Sequence, residues 1–139
     1  MWWLFALLSA VFAALTAILA KVGVRGVDSN VATAVRTVVV LVFAWGLVAL
    51  QGNLGAVTQL STRTLSFLAL SGVATGASWL FYFRALQLGP ASLVSAVDKS
   101  SLALTLVLAA VFLGEALTVR AALGCGLILL GTALVVWPA

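Results

Sequence analysis

Five long apolar runs occupy most of this chain of 139 residues and decide what it can fold into. Each run is close to the ~20 residues with which an α-helix crosses ~30 Å of hydrocarbon. Hydrophobic residues make up 65% of the chain and charged residues only 7%, a composition that excludes an ordinary soluble domain. The sequence therefore predicts an all-α, polytopic membrane protein. Its five transmembrane helices are predicted at Trp2–Ala20, Val31–Leu50, Leu65–Leu86, Ala91–Leu113 and Thr118–Trp137.

The segments between these runs are short and contain turn residues such as the Gly89-Pro90 pair. Short connections make consecutive helices antiparallel neighbours, so residues 1–139 are predicted to form a single transmembrane domain. Pro90 suits the first turn of the fourth helix and Thr118 suits the N-cap of the fifth. The first run lacks the basic start and the small-x-small cleavage site of a signal peptide, so we expect it to be retained.

The net charge of +4 comes from basic residues near helix ends, which is typical of membrane anchors and not of a nucleic-acid surface. No nucleic-acid partner is predicted. An odd number of spans places the termini on opposite sides, with Lys21, Arg25 and Arg84 on one side and Arg63, Arg120 and the amino terminus on the other. This near-balance gives a weak preference for an outside amino terminus, and it is also expected of a chain that inserts in both orientations. An Arg36 side chain reaching outward to the first side would strengthen the preference.

Two adjacent charges, Asp98 and Lys99, interrupt the fourth apolar run. A charged side chain at the middle of a membrane helix costs roughly 2.5–3.5 kcal/mol on insertion scales, so such charges are paired, hydrated or used. At ~1.5 Å per residue from Pro90, Asp98 lies ~12 Å into the membrane, where structural carboxylates are rare. We therefore predict that Asp98 binds substrate or a proton. A purely structural ion pair is the alternative.

Neighbouring residues point ~100° apart around an α-helix, so Asp98 and Lys99 are expected to find their partners elsewhere. Arg36, ~8 Å inside the second helix from the same membrane side, is the predicted partner of Asp98. Three roles stay open for Lys99. It could contact substrate, pair with a carboxylate of another subunit, or extend between helices to the interface.

Polar residues follow one face of the third helix and one face of the fourth at helical spacing. The third helix carries Ser71, Thr75, Ser78, Trp79 and Tyr82, and the fourth carries Ser95, Asp98, Ser101 and Thr105. If the two faces meet, they line a small polar cavity. The predicted substrate-binding residues are Asp98, Lys99, Arg36, Trp79, Tyr82, Ser78, Thr75 and Ser95, and Asp98 is also the predicted proton-coupling residue. The alternative for the hydroxyls is a bond to the carbonyl one turn back or a contact between helices.

Three segments resemble the carboxyl-terminal signature of an EamA domain, a family of the drug/metabolite transporter superfamily. They are Tyr82–Val94 (YFRALQLGPASLV), Leu113-Gly114-Glu115 and Gly124–Gly131 (GCGLILLG). The first two helices, through Ala17–Lys21 and Gly26–Asn30, are similar to the short, single-domain bacterial and archaeal members. The resemblance covers essentially the whole chain. Each motif is loose, and their order and spacing together make the likeness fairly specific.

The resemblance implies a secondary transporter of small metabolites or drug-like solutes in the cytoplasmic (inner) membrane of the cell. Longer members contain two five-helix domains in opposite membrane orientations. Because this chain supplies one, the resemblance implies a homodimer in which one copy is inverted. The chain departs from the longer members at Asp98-Lys99, where they often have a proline or apolar residues.

Two other functions compete with transport. In the first, the protein is an accessory or structural membrane subunit in which Asp98, Lys99 and Arg36 form a buried network that specifies assembly. In the second it is an intramembrane enzyme. The chain has no histidine, one cysteine and three carboxylates, which supply neither a metal cluster nor a catalytic dyad. The sequence therefore predicts no enzyme, no metal and no cofactor.

Overall fold

A computed structural model of the chain describes residues 1–137. Within that range five helical segments are long and apolar enough to cross a membrane. They run over Trp2–Gly23, Ser29–Leu50, Thr62–Leu88, Ala91–Leu113 and Val119–Val136. The predicted all-α architecture with five spans is therefore confirmed, with boundaries that differ from the prediction by at most a few residues.

We label the helices in chain order. They are α1 (Trp2–Gly23), α2 (Ser29–Leu50), α3 (Thr62–Leu88), α4 (Ala91–Asp98), α5 (Ser101–Leu108) and α6 (Val119–Val136). A short 3₁₀ helix, Leu54–Gln59, occupies the connection between α2 and α3, and a π-helical turn, Ala109–Leu113, follows α5. The chain divides into two compact units, Met1–Leu88 and Gly89–Ala139, which we describe separately.

In the first unit, α3 packs against both α1 and α2. The buried residues cluster where α1 ends, α2 begins and α3 ends. They include Val24, Ser29, Thr33, Phe83 and Leu86, of which Leu86 is fully buried. Apolar area has little driving force between helices in lipid, so packing of this kind depends on close contact and on hydrogen bonds.

Gln87 supplies several of those hydrogen bonds. Its Nε2 donates to the carbonyl oxygens of Val24 at 3.3 Å and Val27 at 2.6 Å, in the connection between α1 and α2. Its Oε1 accepts a hydrogen bond from Nη1 of Arg84 at 3.1 Å. The α1–α2 connection is thus held to the end of α3, and these three helix ends belong to one end of the unit.

The ends of α1 and α2 are also fixed by charged side chains. Nζ of Lys21 donates a hydrogen bond to the carbonyl oxygen of Leu86. Asp28 is the N-cap of α2, and its Oδ1 accepts from the backbone N–H groups of Asn30 at 2.9 Å and Val31 at 3.1 Å. A carboxylate at this position satisfies orphan donors and complements the helix dipole, so Asp28 is engaged in structure.

In the second unit, α6 packs against α4 and α5. The fourth span ends at Gly114, whose φ of +68° is a left-handed conformation that glycine adopts without a steric penalty. Thr118 is the N-cap of α6, and its Oγ1 accepts from Ala121 N–H at 3.2 Å, which confirms that prediction. Pro90 occupies the N-cap position of α4, directly before the predicted first turn.

Most of the apolar surface of the five spans is uncovered within residues 1–137. No more than 6% of the most apolar window of any span is buried. The remaining surface is therefore available to lipid or to another protein chain, as expected for a membrane protein with little internal core.

Candidate functional site

The fourth membrane span is interrupted near its middle. Helix α4 ends at Asp98, α5 begins at Ser101, and Lys99 and Ser100 form a turn between them. The fourth span runs over Ala91–Leu113 as predicted, and its regular α-helical geometry is lost at these two residues. Both charges of the span lie here, Asp98 at the end of α4 and Lys99 in the turn.

The interruption is a short stretch of 3₁₀ geometry. Ser100 N–H bonds to Val97 O at 3.0 Å and Leu102 N–H bonds to Lys99 O at 3.1 Å, which are i→i−3 bonds instead of the α-helical i→i−4. The hydroxyl of Ser100 also donates to Val97 O, at 2.6 Å. A serine that bonds to a nearby carbonyl competes with the helical ladder, which gives a local reason for the break.

A hydroxyl from another helix meets the backbone beside the break. In a regular α-helix the carbonyl of Ala96 would accept from Ser100 N–H, and here that donor is diverted to Val97. The Ala96 oxygen instead accepts from the N–H of Lys99 at 3.2 Å and from Oγ1 of Thr132 on α6, also at 3.2 Å. Sequence reasoning missed Thr132, although a lone hydroxyl in the apolar final span was the available signal.

Replacing Thr132 with valine is expected to lower the free energy of unfolding by about 1 kcal/mol, because it leaves a membrane carbonyl with a weaker set of donors. The matched control is Thr105→Val on α5. Its hydroxyl bonds at 2.9 Å to Ser101 O, one turn back on the same segment, so we expect a loss of no more than a few tenths of a kcal/mol. Thermal unfolding of the purified variants in one detergent measures both. Equal losses would contradict a supporting role for Thr132.

Asp98 and Lys99 contact each other across the break. Nζ of Lys99 lies 3.7 Å from Oδ2 of Asp98, with the two side chains 64% and 43% exposed, respectively. The expectation that neither residue would be the other's partner is therefore wrong. The long lysine side chain reaches back to its neighbour, which the angular separation of the two positions did not exclude. The predicted pairing of Asp98 with Arg36 joins the two units and stays a prediction.

In the first unit, Arg36 of α2 lies against two aromatic rings of α3. Its guanidinium carbon is 3.9 Å from the centroid of the Trp79 ring and 5.5 Å from that of Phe83. The two rings belong to residues one helical turn apart on α3. Contacts of this kind contribute ~0.5–2 kcal/mol, with the larger values in desolvated surroundings. Arg36 therefore lies over rings within the unit, and it adds no charge to the connecting loops.

An open cavity of about 490 Å³ lies beside this cluster. Arg36 and Phe83 line it together with apolar side chains of α1 and α2, among them Leu19, Val31 and Val35. We call this cavity the Arg36 groove. A cavity of several hundred Å³ with a mainly apolar lining and one strong polar group has the properties of a small-molecule site.

The other predicted site residues are less closely associated. Thr75 is exposed, and its Oγ1 donates to Ser71 O at 2.9 Å, so it makes the backbone bond one turn back that was weighed as its alternative role. Ser78 is exposed, whereas Tyr82 and Ser95 are half-buried. The first unit thus brings Arg36 and Trp79 together and adds Phe83, which sequence reasoning missed. Its signal was the i+4 spacing from Trp79.

No cluster of three or more His, Cys, Asp or Glu side chains that could hold a metal ion occurs among residues 1–137. Cys125 is a free, buried thiol on α6. The polar groups available for binding are therefore charged side chains, hydroxyls and backbone carbonyls beside aromatic rings.

The family model for the EamA-like transporter family matches residues 1–137. A curated protein from a Sinorhizobium species, named "Uncharacterized transporter in cobO 3'region", is 49% identical over 133 residues, which cover 96% of this chain and 94% of the relative. No solved structure matches the chain. The chain belongs to the EamA-like transporter family, which is a family of membrane transporters and not of enzymes.

Proposed function

We propose that the protein is a secondary active transporter of a small metabolite or drug-like solute, working as a homodimer in the cytoplasmic (inner) membrane. The observation that carries the proposal is the interrupted fourth span. The turn keeps its backbone hydrogen bonds, but it places Asp98 and Lys99 within the span, and charged groups at membrane depth are tolerated where they face protein or a water-filled cavity. In transporters, broken helices of this kind supply the carbonyls and charges of the binding site.

Each unit contributes its own candidate contacts. In the first unit the proposed substrate-binding residues are Arg36, Trp79, Tyr82, Ser78 and Thr75, of which Arg36 and Trp79 are in direct contact. In the second unit they are Asp98, Lys99 and Ser95, with Asp98 also exchanging the coupling proton. The 3.7 Å ion pair of Asp98 is loose and accessible, which suits a carboxylate that changes partners during a transport cycle.

The same ion pair argues against the accessory-subunit alternative. A buried network that specifies assembly needs short, fully satisfied contacts, since partial satisfaction is worse than an apolar core. Lys99 is 64% exposed and 3.7 Å from its partner, which is one long contact and not the short, fully bonded set that such a network needs. A single contact of this kind contributes little to assembly. Two charges at this point of the span are better explained by binding of a substrate.

A thermal-shift screen of the purified protein tests the proposal. The compounds are amino acids, organic acids, amines and sugar phosphates, and the variants are Trp79→Ala and the matched control Trp45→Ala. Trp45 lies on α2 and is 46% exposed. We expect at least one compound to raise the unfolding temperature by several degrees, with the shift lost in Trp79→Ala and kept in Trp45→Ala, because ligands that bind only the folded state stabilise it.

Two results of the screen would contradict the proposed site. One is a stabilising compound whose effect is the same in Trp79→Ala as in the unmodified protein. The other is a shift lost equally in both tryptophan variants, which would indicate a general effect on folding and not a contact with the bound compound.

A further inference from the structure

We propose that the Arg36 groove binds an organic anion that has an apolar body, so that the anionic group meets the Arg36 guanidinium. This inference rests on the proposed function, since it names the substrate class of the same transporter. It concerns binding, however, and it can be measured without transport. All of the residues involved lie in the first unit, Met1–Leu88.

The charge of Arg36 has no carboxylate partner within this unit. Of the three carboxylates in the sequence, only Asp28 falls in residues 1–88. The Oδ1 atom of Asp28 is committed to the N–H groups of Asn30 and Val31 at the start of α2. At 1.5 Å per residue Asp28 precedes Arg36 along α2 by about 12 Å, well beyond ion-pair distance. The groove therefore contains a cation that its own unit does not neutralise.

The contacts of Arg36 leave its hydrogen-bonding edge available. The rings of Trp79 and Phe83 contact the guanidinium at 3.9 Å and 5.5 Å, as measured from Cζ to the ring centroids. A guanidinium over a ring keeps its five N–H donors in its own plane, and that planar fork matches a carboxylate, sulfonate or phosphate in two parallel bonds. The stacking also restricts the side chain, which lowers the entropy lost when an anion binds.

The remainder of the groove selects an apolar body. Its volume is about 490 Å³, and apolar side chains such as Leu19, Val31 and Val35 line it. Cavities of ~300–1,000 Å³ accommodate small organic molecules, whereas a small inorganic anion would leave most of this surface uncovered. A ligand with a ring or a short chain next to its charged group would contact both the apolar wall and Arg36.

A second, basic cavity lies in the same unit. It has a volume of about 290 Å³ and is lined by Lys21, Arg25 and Gln87, and Val27 lines both this cavity and the groove. Lys21, Arg25 and Arg84 lie at this end of the unit, together with a single carboxylate, that of Asp28. The resulting positive potential attracts anions and repels cations at the end of the unit where α1 meets α2.

Calorimetry with three ligands that share one body tests the inference. The ligands are 3-phenylpropionate, the neutral 3-phenylpropan-1-ol and the cationic 3-phenylpropylamine. The full chain is held in phosphatidylcholine nanodiscs at pH 7. We expect the carboxylate to bind at least about tenfold more tightly than the alcohol, and the amine to bind most weakly. A tenfold difference is a modest share of what one charge-assisted, bidentate contact supplies.

The variants are Arg36→Gln, Arg36→Lys and the matched control Arg63→Gln. Arg63 also lies over a ring, 6.0 Å from the centroid of Phe67 at the start of α3, and does not line the groove. Arg36→Gln should reduce carboxylate binding to the level of the alcohol. Arg36→Lys keeps the charge but loses the fork, so it should weaken carboxylate binding about three- to tenfold while retaining the preference for the anion. Arg63→Gln should change nothing.

Several results would overturn the inference: no measurable binding of the carboxylate, equal binding of carboxylate and alcohol, preference for the amine, or equal losses in Arg63→Gln and Arg36→Gln. If Arg36→Gln does not fold, Arg36→Lys and the ligand series decide alone. The experiments distinguish failure of the anion-binding inference from failure of the proposed transport function. Anion binding without transport of any compound would leave the inference standing and remove the transporter, whereas transport of amines without anion binding would do the opposite.

Discussion

Substitution of Asp98 by asparagine is expected to abolish transport driven by a pH gradient while sparing folding and dimerisation. Asparagine keeps the size and much of the hydrogen bonding of aspartate but has no group that titrates. Asp98 is held by one 3.7 Å contact with Lys99, and a neutral amide is less costly than a carboxylate at membrane depth, so we expect folding to be retained. Accumulation of substrate against its gradient should fall to simple equilibration.

The matched control is Asp28→Asn, which makes the same chemical change at the N-cap of α2. Asparagine caps helices about as well as aspartate, so folding and transport should both be retained. Uptake into proteoliposomes at several imposed pH gradients measures both variants. Unchanged pH dependence in Asp98→Asn would show that the carboxylate is structural. Failure of that variant to insert or assemble would instead favour the buried-network alternative.

In sealed vesicles that contain active protein, we expect the connection between α2 and α3 to be accessible from outside in some copies and from inside in the others. The loop charges are nearly balanced, and Arg36 does not alter that balance because it lies over Trp79 within the first unit. With Asn53→Cys as the label site and Cys125→Ala as background, an impermeant maleimide should label about half of the copies, because a population inserted equally in both orientations presents half of its copies on each face. Permeabilisation should then expose the rest.

A charge-shifted variant makes this test sharper. Gln51→Lys with Gln59→Lys adds two positive charges to the α2–α3 connection, which should place that loop in the cytoplasm in nearly every copy. Labelling should then come from one side only, and transport should be lost if the working dimer needs an inverted partner. Labelling from one side in the unmodified, active protein would exclude the antiparallel dimer and leave a parallel one.

The five spans could be predicted from the sequence because the bilayer requires helices of a certain length with apolar side chains. Both properties can be read directly from the order of residues. The sequence did not predict the 3₁₀ geometry at Lys99 and Ser100, because an α-helical and a 3₁₀ turn can have the same composition. The outcome there depends on one hydroxyl, that of Ser100, bonding to Val97 O. The number of apolar residues in a span contains no information about a hydrogen bond of this kind.

A charge or a place on a polar stripe marked the candidate residues that the structure brings into contact, whereas their apolar neighbour carried neither mark. Arg36 and Trp79 were selected separately and prove to be in contact. Phe83 was not selected, since an apolar residue on a membrane helix looks like a residue that faces lipid. Thr75 was selected for its place on a polar stripe, yet its hydroxyl bonds to its own helix. Helical spacing in the sequence shows which residues share one face of a helix. Only the structure shows which residues or groups that face contacts.

The central claim is that this protein transports a solute without the help of another protein. The most direct test is uptake of a bound compound by the purified chain alone. A compound that stabilises the protein through Trp79 is offered to liposomes containing only the purified chain, under an imposed pH gradient. We expect the compound to accumulate above its external concentration in these liposomes, but not in empty liposomes and not with Asp98→Asn. A compound that is bound in this way but never crosses the bilayer, in vesicles whose protein is folded and dimeric, would contradict it.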